Sequence, residues 1–564
     1  MAKMKRSQSA PCVPCRYRKV RCDRRSGTCT NCERLNFNCS YQQGPSRAQG
    51  DDKNIRSGPP ERRRASQACI ACRRQKARCS GELPACKACR QRQRLCQYAA
   101  SDLPVGADSA ISSLFPIRRQ ELLSAIDRFF GHLYPVPAFA FLHEPSVRKQ
   151  CESGVLDPSL ALSLAAVTNA YLSSNKQVLE ECASWIRAVE MEIWDRLHSP
   201  SIHQAQSLLL MAHYHIQTGH FGRAYMLVGM TARSTTALRL NYERPELDFV
   251  AQETRRRLVW SLTSIDSYFS VGLPEHETIS YANIYQRLPC SEEEFREGIA
   301  QPTAVQDNGQ AKTNPVNNPN PLAAFIEVGK IMRDVMRLTR QLAISDAPLL
   351  ELPGLVQNIQ NDLWRLHADL ELDAHFAISE TISPQEMKGS RWFLRYLLAS
   401  LCWHQVHCDL YRIFLPGYSE AVSKIILDMT DAVFREHAVD MCHIHVRKIH
   451  IILAGVLQHI DVPILSLYVA ICAYQAARLS LFLPSLPGPR AQIAAQNAVS
   501  DATTALCVLQ KFFSDTVFAQ DIIADLQDLI ESSALSESGP YQYGQLAVHS
   551  LIKQANFVDD GYEA

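Results

Sequence analysis

The chain has little of what an enzyme, a membrane protein or an exported disulfide protein would show. Its 564 residues contain no Gly-rich phosphate loop, no HExxH and no GxSxG, so familiar signatures of nucleotide, metallopeptidase and α/β-hydrolase chemistry are missing. The start, MAKMKRSQSAPC, has no apolar stretch, which argues against an export signal and against an oxidised framework for the cysteines. The most apolar run, ILSLYVAICAYQAARLSLFL (464–483), is broken by Gln475 and Arg478 before a full span; a buried helix is expected there, with no membrane partner. No strand-like alternation rivals the helical periodicity. Residues 97–114 contain Pro104 and Gly106 and no sustained heptad, so a dimer, if formed, has no coiled-coil signal.

What the chain does have is cysteine in a repeated spacing. C-x2-C-x6-C-x6-C-x2-C-x6-C occurs at Cys12, Cys15, Cys22, Cys29, Cys32 and Cys39, and again 57 residues later at Cys69, Cys72, Cys79, Cys86, Cys89 and Cys96. A closed structural Zn2+ site takes four ligands, so six thiolates satisfy two ions only if two sulfurs bridge. Within each copy the half C-x2-C-x6-C recurs after 17 residues, which makes Cys12 with Cys29, and Cys69 with Cys86, the bridging pairs. The expected cofactor is Zn2+, two ions per copy and four in all. A 28-residue unit buries too little apolar surface to fold alone, so the metal is expected to supply its folding free energy. Iron–sulfur ligation fits less well, because it groups its cysteines more closely.

Charge divides the chain the same way. Residues 1–99 carry a net charge of +18 and the remainder −16, hidden beneath a total of +2. So basic a block is an electrostatic footprint for a polyanion, with affinity that falls steeply as salt rises. The runs Lys3 to Arg6 and Arg62 to Arg64 also suit nuclear import. Between the copies, residues 40–68 are rich in Gly, Pro, Ser, Gln and charge, the composition of a flexible tether. Its 29 residues span roughly 30 Å on average and at most about 95 Å, close to one turn of B-DNA at about 34 Å. One molecule can then engage two sites, the second at an effective concentration of order millimolar.

CVPCRYRKVRCDRRSGTCTNCERLNFNCSY (12–41) and CIACRRQKARCSGELPACKACRQRQRLCQY (69–98) both resemble the fungal binuclear zinc cluster, the DNA-binding module of a large family of transcription factors. The resemblance implies a short helix after the second cysteine that enters the major groove and reads base edges, usually within a CGG triplet, from its third and fourth positions. Those positions are Arg18 and Lys19 in the first copy, and Gln75 and Lys76 in the second. Arg and Lys suit guanine whereas Gln prefers adenine or phosphate, so the second copy is expected to read a different or relaxed triplet. Arg16, Arg21, Arg73 and Arg78 are expected to clamp phosphates. Lys87, Arg90, Arg92 and Arg94 enrich the second half of copy two, where copy one has only Arg34; several of these are expected to be solvated surface charges. The family's Asp after the third cysteine is kept as Asp23 but becomes Ser80, and its Pro before the fourth is kept as Pro84 but becomes Thr28.

From about residue 115 the sequence turns into apolar segments at helical spacing, such as QELLSAIDRFFGHLY, HQAQSLLLMAHYHIQ and SRWFLRYLLASLCWHQVHCDLYRIF, and the body is expected to be all α. Residues 129–147, 203–240 and 253–289 resemble the fungal-specific transcription factor domain that accompanies such clusters. Arg255, Arg256, Arg257, Trp260 and Asp266 stand where that family has its Arg run, aromatic and Asp. The usual Arg after the Asp is Ser267, and GRP appears as Gly272, Leu273 and Pro274, which puts in question the ion pairs the missing arginines would make. Two further features have competing readings. Cys402, His404, His407 and Cys408 with Cys442, His443 and His445 could hold a metal or act in redox sensing, but His and Cys on apolar helices are more often satisfied core residues. The acidic, amphipathic 517–538 segment can recruit a coactivator or be the last core helix, and the second is expected. Cys151, Cys182, Cys290, Cys472 and Cys507 have no ligand spacing and are expected to be buried reduced thiols.

The expected architecture is two small metal-stabilised zinc cluster modules followed by a large all-α regulatory domain. Its parts are a basic tail (1–11), cluster 1 (12–39), tether (40–68), cluster 2 (69–96), linker (97–114), a first helical half (115–298), a disordered insertion (299–320), a second half (321–535) and a tail (536–564). The expected function is sequence-specific, nuclear regulation of RNA polymerase II transcription, with double-stranded DNA and the transcriptional machinery or coactivators as partners, and no enzymatic activity. Regulation of a pathway or of a secondary-metabolite gene cluster fits that role. The rival readings are a repressor or corecruiter whose clusters hold proteins, and a DNA-tethered enzyme.

Overall fold

The computed structural model describes residues 11–40 (except 19, 26, 36 and 37), 117–270, 274–299, 320–344, 352–371, 391–487, 491–532, 551 and 555. Nearly all of the tether, the second cysteine copy, the 97–114 linker and nearly all of the 299–320 insertion lie outside them. The chain divides into two compact units, Met1–Gly106 and Ala107–Ala564. Among the described residues every regular element is helical, and one isolated bridge, Tyr242 to Tyr285, is the sole β feature.

Among the described residues the first unit has two short helices, α1 (Val13–Tyr17) and α2 (Thr30–Arg34). Helix α1 begins before the second cysteine of the motif, where the resemblance implied a start after it. The reason is local: Pro14 sits in the first turn, where its missing N–H costs nothing and its fixed φ is already helical. The unit's core is sulfur, with Cys12, Cys15, Cys29, Cys32 and Cys39 buried and Cys22 against them.

The second unit begins with α3 (Arg119–Arg128), α4 (Glu144–Glu152), α5 (Pro158–Leu172), α6 (Lys176–Asp195), α7 (Ile202–Gln217), α8 (Phe221–Ala237), α9 (Phe249–Ser270) and α10 (Glu292–Glu297). It continues with α11 (Pro321–Ile344), α12 (Leu352–Glu371), α13 (Phe393–Arg412), α14 (Lys424–Met429), α15 (Ala432–His459), α16 (Leu467–Phe482), α17 (Ala491–Phe513) and α18 (Val517–Ser532). Capping sets several starts. Asp157 accepts from Leu160 N at 3.1 Å with Pro158 beside it, and Ser201 accepts from Gln204 N at 3.1 Å. Each cap satisfies an N–H the helix cannot. Helices α5 and α7 are then buried on nearly every side. Gly219 ends α7 at φ +76°, and a Cβ there would lie 3.0 Å from Val517, so glycine lets the start of α18 approach. One hydrophobic core runs from Ile117 through both halves to Leu526 and beyond.

Helix α16, the most apolar segment, packs against α13, α15, α17 and α18, and 78% of its most hydropathic stretch is buried. Gln475 and Arg478, which break that run, are used inside the protein: Arg412 donates to Gln475 Oε1 at 2.8 Å and Arg478 to Glu420 at 3.2 Å. Helix α18 buries Phe518, Ala519, Ile522 and Leu526 and leaves Asp521 and Asp528 outside. It is a core helix with an acidic outer face. Of the five cysteines outside any ligand spacing, Cys151, Cys182 and Cys472 are buried, while Cys290 and Cys507 are only half-buried.

Charges buried in this unit are paired. On α9, Arg257 donates to Glu253 at 2.8 Å and to Glu292 at 2.6 Å; Arg395 of α13 also donates to Glu292, and Tyr134 Oη donates to its other oxygen at 2.9 Å. The two guanidiniums overcome the cost of burial and hold the Glu292 carboxyl at about 2. Arg256 pairs with Glu243 at 2.8 Å and with Glu253, while Arg255 donates to the Ala251 carbonyl at 2.7 Å. The arginine missing at 267 is replaced from elsewhere in the chain. Arg333, on α11, donates to Asp266 and to Ser267 Oγ, each at 3.2 Å, and Asp266 also accepts from Thr278 N at 3.0 Å.

Candidate metal centre and nucleic-acid interface

Four sulfurs of the first motif form a compact group. Cys12, Cys15, Cys29 and Cys32 have all their sulfurs within 4.8 Å of one another, with Cys12 to Cys29 and Cys12 to Cys32 at 3.6 Å, Cys15 to Cys29 at 3.5 Å and Cys15 to Cys32 at 4.0 Å. A tetrahedral zinc with Zn–S near 2.3 Å places its sulfurs about 3.8 Å apart, so the spacing fits ligands around a metal. It is far too long for disulfides at about 2.05 Å. Cys22 joins through Cys29, with Asp23 in the same group. Cys39 is buried, and its sulfur accepts from Cys29 N at 3.4 Å. Burial raises the thiols of Cys12, Cys15 and Cys32, the last to about 12, so these sulfurs ionise together only with cationic charge among them.

Neighbouring backbone fixes this geometry. Cys12 and Cys29 are the N-cap residues of α1 and α2, which places Cys15 and Cys32 one turn in, on the inner side of each helix. Cys29 Sγ accepts from Cys32 N at 3.4 Å. Asp23 ties the two halves together: its carboxylate accepts from Thr30 N at 3.1 Å and from the Thr30 hydroxyl, while Asn31 donates to the Arg21 carbonyl at 3.3 Å. The residue types alone did not show that Asp23 holds the start of α2.

Arg16 and Arg21 are exposed and Arg18 is half-buried at the end of α1. Lys19 lies outside the described residues, as do Gln75, Lys76, Arg73, Arg78 and the six cysteines Cys69, Cys72, Cys79, Cys86, Cys89 and Cys96.

The histidine and cysteine cluster of the body has a different character. His404 and His445 share a hydrogen bond between their Nδ1 atoms at 2.9 Å, His407 Nδ1 donates to the Trp403 carbonyl at 3.0 Å, and the His407 and His445 rings stack at 4.0 Å. Burial lowers His404 to about 3 and His407 to about 4, and lowers His445 further. These are neutral core imidazoles. Among the described residues, ligand atoms converge in threes or fours only in the first cysteine motif.

The fungal Zn(2)-Cys(6) binuclear cluster domain matches residues 10–48 and again 67–103, and the fungal specific transcription factor domain matches residues 126–377. The chain belongs to the family of fungal transcription factors that join these domains. Membership implies zinc binding by the cluster domains. Similar proteins include the Zn(2)-C6 fungal-type transcription factor FTF1c of Fusarium oxysporum f. sp. lycopersici, 26% identical over 280 residues, which cover 44% of this chain and 30% of that protein. Transcription factor AN6788 of Emericella nidulans is 26% identical over 236 residues, 39% of this chain and 35% of that protein. An uncharacterized transcriptional regulatory protein of Schizosaccharomyces pombe, C1327.01c, is 24% identical over 210 residues, 33% of this chain and 21% of that protein. The chain thus spans about a third or less of the length of these curated relatives.

Proposed function

We propose that this protein is a nuclear, sequence-specific regulator of RNA polymerase II transcription that reads CGG-like triplets through two tandem binuclear zinc clusters. The observation that carries the reading is the four-sulfur group of Cys12, Cys15, Cys29 and Cys32 inside a segment with four basic and no acidic residues between Cys12 and Cys22.

Each cluster would hold two Zn2+, four in total, with Cys12 and Cys29, and Cys69 and Cys86, shared between ions. Bound zinc would supply a rigid core and offset most of the thiolate charge. The chain's own residues do the recognition: Arg18 and Lys19 donate to guanine O6 and N7, and Arg16 and Arg21 anchor the backbone on either side. In the second copy Gln75 and Lys76 take the reading positions and Arg73 and Arg78 the anchoring ones. The helical body, with its continuous core, is the part suited to receive a partner such as a coactivator, and control of a pathway or of a secondary-metabolite gene cluster fits such a protein. Titration of the zinc-loaded chain with CGG-bearing and scrambled duplexes across a salt series tests the reading. Preference for CGG that disappears in Arg18→Ala with Lys19→Ala is expected. Indifference both to sequence and to those substitutions would sink it.

A further inference from the structure

The face of α1 turned away from the sulfur core is apolar. At about 100° per residue, Val13 and Tyr17 each lie about 160° around the helix from Cys15, the residue α1 buries. They are one turn apart and share a face. Val13 is 67% exposed and Tyr17 90%, the highest value among the exposed large hydrophobic side chains of the described residues. Folding does not use them, because the core of this unit is sulfur. Arg16 and Arg18 flank the ridge, with Arg21 just beyond, and no acidic residue lies between Cys12 and Cys22. A surface of that charge selects a polyanion, and an apolar strip within it can meet only the apolar parts of nucleic acid. In the major groove the apolar feature of a base edge is the thymine C5-methyl group.

We propose that Val13 and Tyr17 form a reading ridge that packs against thymine methyl groups flanking the triplet, adding specificity beyond the arginine and lysine contacts. The proposal rests on the DNA-reading function above. Displaced by 57 residues, the second copy has Ile70 and Arg74 at these positions. It keeps the aliphatic residue but replaces the tyrosine, so the thymine preference belongs to the first copy.

The test uses the full zinc-loaded chain. Selection from duplexes carrying CGG with randomised flanks is expected to enrich thymine with the wild type and not with Tyr17→Ala. In a selected duplex each flanking thymine is then replaced in turn by uracil, which lacks only the methyl group. Loss of one buried methyl should weaken wild-type binding about four-fold; Tyr17→Phe should keep that difference, Val13→Ala reduce it, and Tyr17→Ala or Tyr17→Arg abolish it, all with unchanged zinc content. Equal binding of thymine and uracil duplexes by a protein that still requires CGG overturns the ridge and leaves DNA reading standing. A Tyr17→Phe variant that loses as much affinity as Tyr17→Ala also overturns it, in favour of a hydroxyl contact to phosphate. Loss of any CGG requirement in the wild type overturns the underlying function as well.

Discussion

Arg333 and Asp266 form an ion pair at 3.2 Å between helices far apart in the chain, both side chains almost fully buried. The pair stands where the family pattern would place an arginine beside the aspartate in sequence. A buried carboxylate left alone is expensive, and burial already pushes the Asp266 carboxyl up despite this partner. Arg333→Met is therefore expected to destabilise the helical unit by about 3–5 kcal/mol, read as a lower denaturant midpoint. Arg333→Met combined with Asp266→Asn should recover part of the loss. A single variant as stable as wild type would show that the pair contributes nothing.

The bridging arrangement predicts unequal roles for the cysteines of the first copy. Native mass spectrometry should give four zinc ions per chain. Cys29→Ser, which removes a sulfur proposed to be shared, should lose both ions of that copy, whereas Cys39→Ser should lose at most one. Equal losses would argue against Cys29 as a bridge.

Asp23 accepts from both the backbone and the hydroxyl of Thr30, so it locks the second half of the cluster onto the first. Asp23→Ala should release zinc to a competing chelator several-fold faster, with Asp23→Asn closer to wild type because an acceptor remains. Identical release rates in all three proteins would show the contact to be dispensable.

Buried histidines should make the body acid-sensitive. His213, with its imidazole lowered by burial to about 3, joins His404 at about 3 and His407 at about 4, all against an ordinary value near 6.5. Because the unfolded chain takes up these protons first, stability is fully present above about pH 6.5. It should fall by up to about 2 kcal/mol per histidine on going to pH 5. Denaturant midpoints measured across that range check the slope. His407→Phe, which keeps an aromatic ring beside Trp403, should flatten it.

The grouping of the first copy's sulfurs was legible in the sequence because these residues are local: spacings of two and six residues set which sulfurs can meet. The helical body was legible because periodicity survives wherever one face is buried. The start of α1 was not, because the placement carried over from the family overlooked Pro14. Nor was the substitute for the missing arginine, since nothing near Ser267 points to Arg333 some 66 residues on. The His404, His407 and His445 cluster looked like candidate chemistry because spacing alone cannot tell a ligand from an imidazole buried among core side chains.

Glu292 is clamped from two directions, by Arg257 and by Arg395, yet the match to the fungal specific transcription factor domain stops at residue 377. A fragment trimmed to that limit would discard Arg395, strip α13 from the face of α11 and leave a half-compensated carboxylate beneath exposed apolar surface. For expression or for swapping modules between relatives, the workable cut lies beyond Leu551, which is itself buried in the core, and the helices after residue 391 travel with the rest.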